Sequence, residues 1–230
     1  LTDALAAEKG LIVKVSKSGY MYFATITDAI TAVGANSFTL LGDLNENVVI
    51  TKNITITAGT HTFSGSIDAG SNIFYAKNGI YELSQLKAGK LSGYANNMAT
   101  VSIANGSVKE LANPDYLKLT ITGGIYGFDP SDYVVDGYEA VSNDDAETKQ
   151  DYPNKVVKVN YVAKVGENKY ASFDEAVSAA NGEKTIELLA DIGDYIMTEG
   201  QTLIIKANGK TVNIKIPGEN YYIDSSENGD

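Results

Sequence analysis

The chain has no cysteine, no tryptophan and no arginine, and a single histidine, His61. Without cysteine there is no disulfide framework, no thiolate zinc site and no cysteine nucleophile. One histidine excludes a multi-histidine metal centre within the chain. All 18 basic residues are lysine, against 29 acidic residues, for a net charge of −11. Arginine is the usual bidentate reader of phosphate, so nucleic acid is not an expected partner. An acidic surface is repelled by anionic lipid, and no apolar run approaches the ~20 residues that span a bilayer. No membrane insertion is expected.

What is present points to β-structure. Hydrophobic residues make up 43% of the 230, enough for a substantial core in one elongated domain or two smaller ones. Glycine, asparagine, threonine, serine and tyrosine are abundant, a mix that suits a secreted β-rich protein with Asn-Gly turns. The chain opens at Leu1 without a signal peptide, as expected of a mature or excised portion of something longer.

One pattern occurs twice, about 147 residues apart. Ala24, Ile26, Ala29 and Ile30 recur as Ala171, Phe173, Ala176 and Val177. After a one-residue shift, Leu40-Leu41 and Asp43 recur as Leu188-Leu189 and Asp191. The match continues from Ile54-Thr-Ile56 to Leu203-Ile-Ile205 and from Thr62-Phe63 to Thr211-Val212. A long fixed period implies modular, stacked architecture.

Residues 1–9 read as a short helical or frayed lead-in and Leu11–Val15 as a first strand. Thr25 to Val33 has helical spacing, with Ile26, Ala29, Ile30 and Val33 on one face, Thr25 or Thr27 as cap and Gly34 as stop. From Ser37 the period changes to short strands at Phe38–Leu41, Asn47–Ile50, Ile54–Thr57, His61–Phe63, Ile73–Tyr75, Ile80–Leu83, Thr100–Ile103 and Leu117–Ile121. Short strands bounded by Gly, Asn and Lys fit the rungs of a β-solenoid. Asp132 to Tyr138 reads as one helical turn, and the polar stretch Ser142 to Lys155 as a linker. A strand pair over Val156–Val165 then feeds a second helix, Ser172 to Ala180, followed by about two strand turns.

Ala24-Thr-Ile-Thr-Asp-Ala-Ile30 followed by Phe38-Thr-Leu-Leu41 resembles the start of pectin-lyase-like right-handed parallel β-helices, where an amphipathic helix caps the open end. Lys169–Val177 with Thr185–Ile192 is similar to a module repeated in large surface proteins of gut Firmicutes and related bacteria. Ile121–Phe128 with Val134–Tyr138 resembles the element that ends such a module. The resemblance covers about two thirds of the chain and leaves residues 64–115 unmatched. The physics agrees, because an open solenoid end exposes backbone groups and apolar side chains that a cap must cover.

The fold expected is all-β: a right-handed parallel β-helix with short amphipathic capping helices (1–150) and a smaller second β-rich module (151–230). No catalytic residue, cofactor site or metal ligand is assigned, and no ligand-binding residue is named. Lyases on such a scaffold need clustered carboxylates for calcium and a strong base; hydrolases need paired Asp or Glu. Here the adjacent pair Asp144-Asp145 falls in the polar stretch. Asn143, Asp144, Asp145 and Glu147 carry oxygen ligands suited to calcium but lack the Gly-containing spacing of an EF-hand, and read as a solvated linker. His61 lacks evident partners and reads as a surface residue. Tyr20, Tyr22, Tyr75, Tyr81, Tyr94 and Tyr126 suggest sugar stacking, yet strand tyrosines are more often structural. Gly123-Gly124 lacks the helix and lysine of a phosphate loop.

The function expected is a non-catalytic module of an extracellular bacterial cell-surface, adhesin-type protein. It would act as a stalk or binding platform for a host protein or glycan, beside neighbouring repeat modules. Two other readings stay open: a carbohydrate-active enzyme or its remnant, and a phage or filament subunit that self-associates through solenoid ends.

Overall fold

A computed structural model describes residues 1–216. It is mostly β, with 48% strand and 13% helix, and the architecture is the expected parallel β-solenoid with short helices and a second β-rich module. The chain divides into two compact units, Leu1–Lys158 and Val159–Asp230.

Unit 1 begins with α1 (Asp3–Glu8) and an antiparallel hairpin of β1 (Val13–Ser16) and β2 (Tyr20–Phe23). Helix α2 (Ile26–Val33) follows. Its cap is Thr25, whose side chain accepts from the Asp28 N–H at 2.9 Å, and it ends at Gly34 in the left-handed region. Ile26 and Ala29 are fully buried, and Ile30 and Val33 pack partly buried against the core, as the apolar spacing predicts. Strand β3 (Ser37–Leu40) runs antiparallel to β1, with Val13 opposite Leu40.

From β3 onward the chain coils in parallel. The strands are β4 (Leu44–Val49), β5 (Ile54–Thr57), β6 (Thr62–Asp68), β7 (Ile73–Lys77), β8 (Gly79–Gly93), β9 (Ala99–Ile103), β10 (Gly106–Ala112), β11 (Leu117–Ile121) and β12 (Gly124–Tyr126). They form three stacks. One is β3, β5, β7 and the ends of β8 and β10. A second joins the starts of β4, β6 and β8 to β9 and β11. The third joins the end of β4, the end of β6 and the middle of β8 to β10 and β12. Each coil takes about 19 residues, so equivalent side chains lie on top of one another. Leu44, Phe63, Tyr81, Val101 and Leu119 form one inward column; Ile54, Phe74, Leu91 and Leu111 form another. Each large apolar side chain so buried contributes about 1.5–3 kcal/mol.

β10, β12 and the second half of β8 are strands that the sequence pattern did not reveal. Gly89 in β8 and Gly106 in β10 sit where coils touch, as Gly65 does in β6. A Cβ on Gly106 would fall 1.9 Å from the Leu86 carbonyl oxygen, and its φ of +136° is one that L side chains rarely adopt. The expected helical turn after Asp132 is a 3-10 turn at Ser131–Tyr133.

The polar stretch Ser142 to Lys155 is not a linker. It forms the turn and parts of both arms of an antiparallel hairpin, β13 (Tyr138–Ser142) with β14 (Asn154–Lys158), and β14 also pairs antiparallel with β12. Its polar side chains satisfy one another locally. Asn143 is buried, with its amide donating to Thr148 Oγ1 at 3.0 Å and to the Tyr152 carbonyl at 2.8 Å. The unit boundary therefore falls after Lys158.

From its hairpin onward, unit 2 repeats the opening of unit 1. A hairpin of β15 (Ala163–Val165) and β16 (Asn168–Tyr170) precedes α3 (Phe173–Ala180), capped by Ser172 and ended by Asn181 in the left-handed region. β17 (Thr185–Leu188) is antiparallel to β15, with Ala163 opposite Leu188, as β3 is to β1. β19 (Ile204–Lys206) stacks parallel on β17, and β20 (Val212–Lys215) on β18 (Ile192–Ile196). Even a polar detail recurs: Asp43 accepts from the Thr62 N–H at 2.8 Å, and Asp191 from the Thr211 N–H at 2.9 Å. The repeat seen in the sequence is a repeat of structure.

Gly106→Ala should destabilise unit 1 by at least about 2 kcal/mol, through backbone strain and the clash with Leu86. A shift in urea midpoint equivalent to under ~0.5 kcal/mol would show that the coil contact relaxes freely. Phe173 is buried and meets Tyr195 edge-on at 5.0 Å. Phe173→Ala should cost about 3–5 kcal/mol by lost transfer energy and cavity formation; calorimetry showing a loss below ~1 kcal/mol would make α3 peripheral.

Candidate functional site

The outer faces of the stacks carry polar side chains in columns, because a strand alternates its faces and every coil repeats the last. One column runs Asn45, Ser64, Glu82, Ser102, Thr120. Beside it the chain turns between the second and third stacks, and a groove forms across three successive coils. Glu82 and Ser84, then Ser102 and Ala104, then Thr120 and Thr122 line it, with Leu83 and Ile103 beneath.

Two of its hydroxyls are fixed from the preceding coil. Ser84 donates to the Gly65 carbonyl at 2.9 Å, and Thr120 donates to Ser102 Oγ at 2.9 Å. A ligand laid along the groove would meet a row of oriented hydroxyls and one exposed carboxylate, Glu82. The chemistry available is hydrogen bonding. Ser102 has a threonine hydroxyl as neighbour, not a base, and Glu82 has no second carboxylate in the lining. These residues were not singled out in the sequence. The signal was there in Ser64, Glu82, Ser102 and Thr120, polar residues that recur at the coil period.

The residues that the sequence did single out fall elsewhere. Asp144 pairs with Lys155 across the β13–β14 hairpin, and the lysine lowers its pKa. Asp145 organises the turn: it accepts from Thr148 Oγ1 and the Thr148 N–H, both at 2.9 Å, and from the Glu147 N–H at 3.0 Å. Those bonds favour its charged form and lower its pKa. Among the described residues no group of three or more His, Asp or Glu side chains converges on a possible metal position. His61 lies at the bend before β6 with Nδ1 3.9 Å from Asp43.

The tyrosines separate into two kinds. Tyr81 is fully buried, and its hydroxyl donates to the Ile56 carbonyl at 2.6 Å and accepts from the Ala58 and Lys77 N–H groups. Tyr126 is buried with its hydroxyl on the Gly123 carbonyl at 2.7 Å. Burial pushes both phenols well above their ordinary range. Tyr22 holds the start of the chain through Asp3 and the Leu1 carbonyl. At the surface, Lys14 lies over the Tyr20 ring at 3.9 Å, while Tyr75 and Tyr94 meet edge-on at 6.4 Å with Lys77 over Tyr94 at 4.5 Å. Gly123 and Gly124 lie against the preceding coil at Ala104 and Gly106.

No described helix is long and apolar enough to cross a membrane. No protein-family model, characterised protein or solved structure matches the chain.

Asp145 has a folded pKa below its unfolded one, so its stabilisation is whole above about pH 4 and drains as pH falls through the folded value. Asp145→Asn removes that component. Its urea midpoint should therefore fall less than that of the parent between about pH 6 and about pH 3. Parallel curves for the two proteins would mean that the Asp145 charge adds nothing to the hairpin.

Proposed function

We propose that this chain is a non-catalytic module of a large bacterial cell-surface protein of adhesin type. It is displayed outside the cell as a stalk or binding platform for a host glycan or protein. The observation that carries this reading is the repetition of one capped solenoid plan in both units, from hairpin and helix to the second pair of parallel strands. Tandem units of one plan suit a long extracellular array better than a single active site. The likeness of Ala24–Leu41 and Lys169–Ile192 to pectin-lyase-like and gut-bacterial surface modules supports the same setting.

The groove adds a ligand-side argument. Oriented hydroxyls, one carboxylate and no nucleophile–base pair suit holding a hydroxyl-rich chain without cleaving it. An acidic chain without arginine also offers little to a uronate carboxylate or to the charge that develops in a lyase transition state.

The test is incubation with a panel of polysaccharides and host glycoproteins, read for retention, for ultraviolet absorbance of unsaturated products and for reducing-end release. Retention without turnover is expected, weakened at least about tenfold (roughly 1.4 kcal/mol) by Ser102→Tyr, which fills the groove. Turnover abolished by Glu82→Gln would replace this reading with the carbohydrate-active enzyme.

A further inference from the structure

The groove of unit 1 offers a ligand acceptors far more than donors. A hydroxyl holds one proton, and a carbonyl can only accept. Ser84 therefore directs its proton to the Gly65 carbonyl at 2.9 Å, and Thr122 turns its own toward the Ile103 carbonyl at 3.5 Å. Between Thr120 and Ser102, at 2.9 Å, one of the two protons is used whichever way the bond runs. Of the four hydroxyls in the lining, a single proton is left for a ligand, while oxygen lone pairs stay available on each coil.

The carboxylate beside them is set apart as well. Strands β3 to β12 carry four acids, Glu46, Asp68, Glu82 and Glu110. Glu46 caps α2, Asp68 faces Lys87, and Glu110 pairs with Lys90 at 2.7 Å. Glu82 is exposed, and among the described residues it has neither a hydrogen bond nor an ion pair. Its neighbours on the adjoining coils are Ser64 and Ser102, not lysines.

An unpaired carboxylate next to a row of acceptors suits a ligand that donates and carries positive charge. An ammonium has three protons to donate and no lone pair. We propose, resting on the reading of this groove as the ligand face of a surface module, that it selects an amino sugar. The free ammonium of a hexose unit sits on Glu82, and sugar hydroxyls donate to Ser84, Thr120 and Thr122. The C–H face of the sugar lies over the apolar floor of Leu83 and Ile103. A lysine side chain of a protein matches less well. It has one donor head, whereas the acceptors run over three coils, about 10 Å at the spacing of paired strands. The net charge of −11 draws any cation toward the chain, so selection by the groove has to be read through Glu82.

The test titrates the intact 230-residue protein with a glucosamine oligomer and with its N-acetylated counterpart of equal length. Calorimetry at about pH 5.5 keeps Glu82 above the ordinary range in which a glutamate protonates. The free-amine oligomer should bind at least about threefold more tightly, the scale of one ammonium on an exposed carboxylate. Glu82→Gln should erase that ratio, and Ser102→Tyr should weaken both oligomers. Equal binding of the two by the parent protein would overturn the proposal. So would a preference that survives Glu82→Gln, which traces it to net charge. A lysine-rich peptide that binds more tightly than the free-amine oligomer, and does so through Glu82, would assign the groove to a protein and overturn it equally. Retention of other glycans with neither oligomer bound would overturn the amino-sugar assignment alone. Failure to retain any glycan would remove the reading of the groove together with it.

Discussion

The constraint on which unit 1 depends is that the first coil of a parallel stack has nothing before it to satisfy its backbone. The solution is local and antiparallel. β1 pairs with β3 on one side and with β2 on the other, so the edge ends in a hairpin, and α2 packs beside it. One side chain ties the helix to the coil. The Glu46 carboxylate accepts from the Ile26 and Thr27 N–H groups, both at 2.8 Å, and from the Thr27 hydroxyl. A negative group at a helix N-terminus meets unsatisfied donors and the positive end of the dipole together. The first coil thus caps the helix that caps the coil. In unit 2 the corresponding residue is Asp194, one methylene shorter, and it pairs with Lys215 instead.

Once the first coil is closed, the rest of unit 1 follows by templating. Each strand finds its edge already defined, and each inward side chain finds a shelf of similar shape about 19 residues earlier. The demand on individual residues is therefore loose in identity and strict in position. Phe63, Tyr81 and Val101 can share a column, and Tyr81 is tolerated because its hydroxyl reaches backbone at the corner of the coil. Glycine is required where backbone meets backbone, as at Gly106 against Leu86.

That looseness explains what could be read from the sequence. The helices were legible at Thr25–Val33 and Ser172–Ala180 because cap, spacing and stop all agree, and the two copies confirm each other. Strands such as Ile54–Thr57 were legible because β-branched residues alternate cleanly. The coil period was not, since the columns mix Phe, Ile, Leu, Val and Ala and the spacing drifts around 19 residues. β10 was hidden by Gly106 and by the consecutive exposed pair Lys109-Glu110, which breaks the alternation of a strand. The hairpin at Ser142–Lys155 looked like a linker because its order comes from polar side chains bonding to nearby backbone and one another, which composition cannot distinguish from solvation. The groove was least legible of all. Glu82, Ser102 and Thr120 are far apart in sequence and meet only when the coils stack.

Several lysines meet acids of neighbouring strands: Lys87 faces Asp68, Lys90 faces Glu110, and Lys164 and Lys206 both approach Glu187. Exposed pairs of this kind contribute little energy each, so they do not hold the coils together. Their effect is on the field outside. With lysines drawn onto acids in this way, the excess of acidic groups gives the chain its single-sign charge of −11. Such a charge opposes indiscriminate association of like molecules at long range, yet a field of this reach screens within about 10 Å. A neutral or hydroxyl-rich ligand meets no such barrier at the groove. The same surface can therefore keep copies apart and still admit a partner that carries little charge.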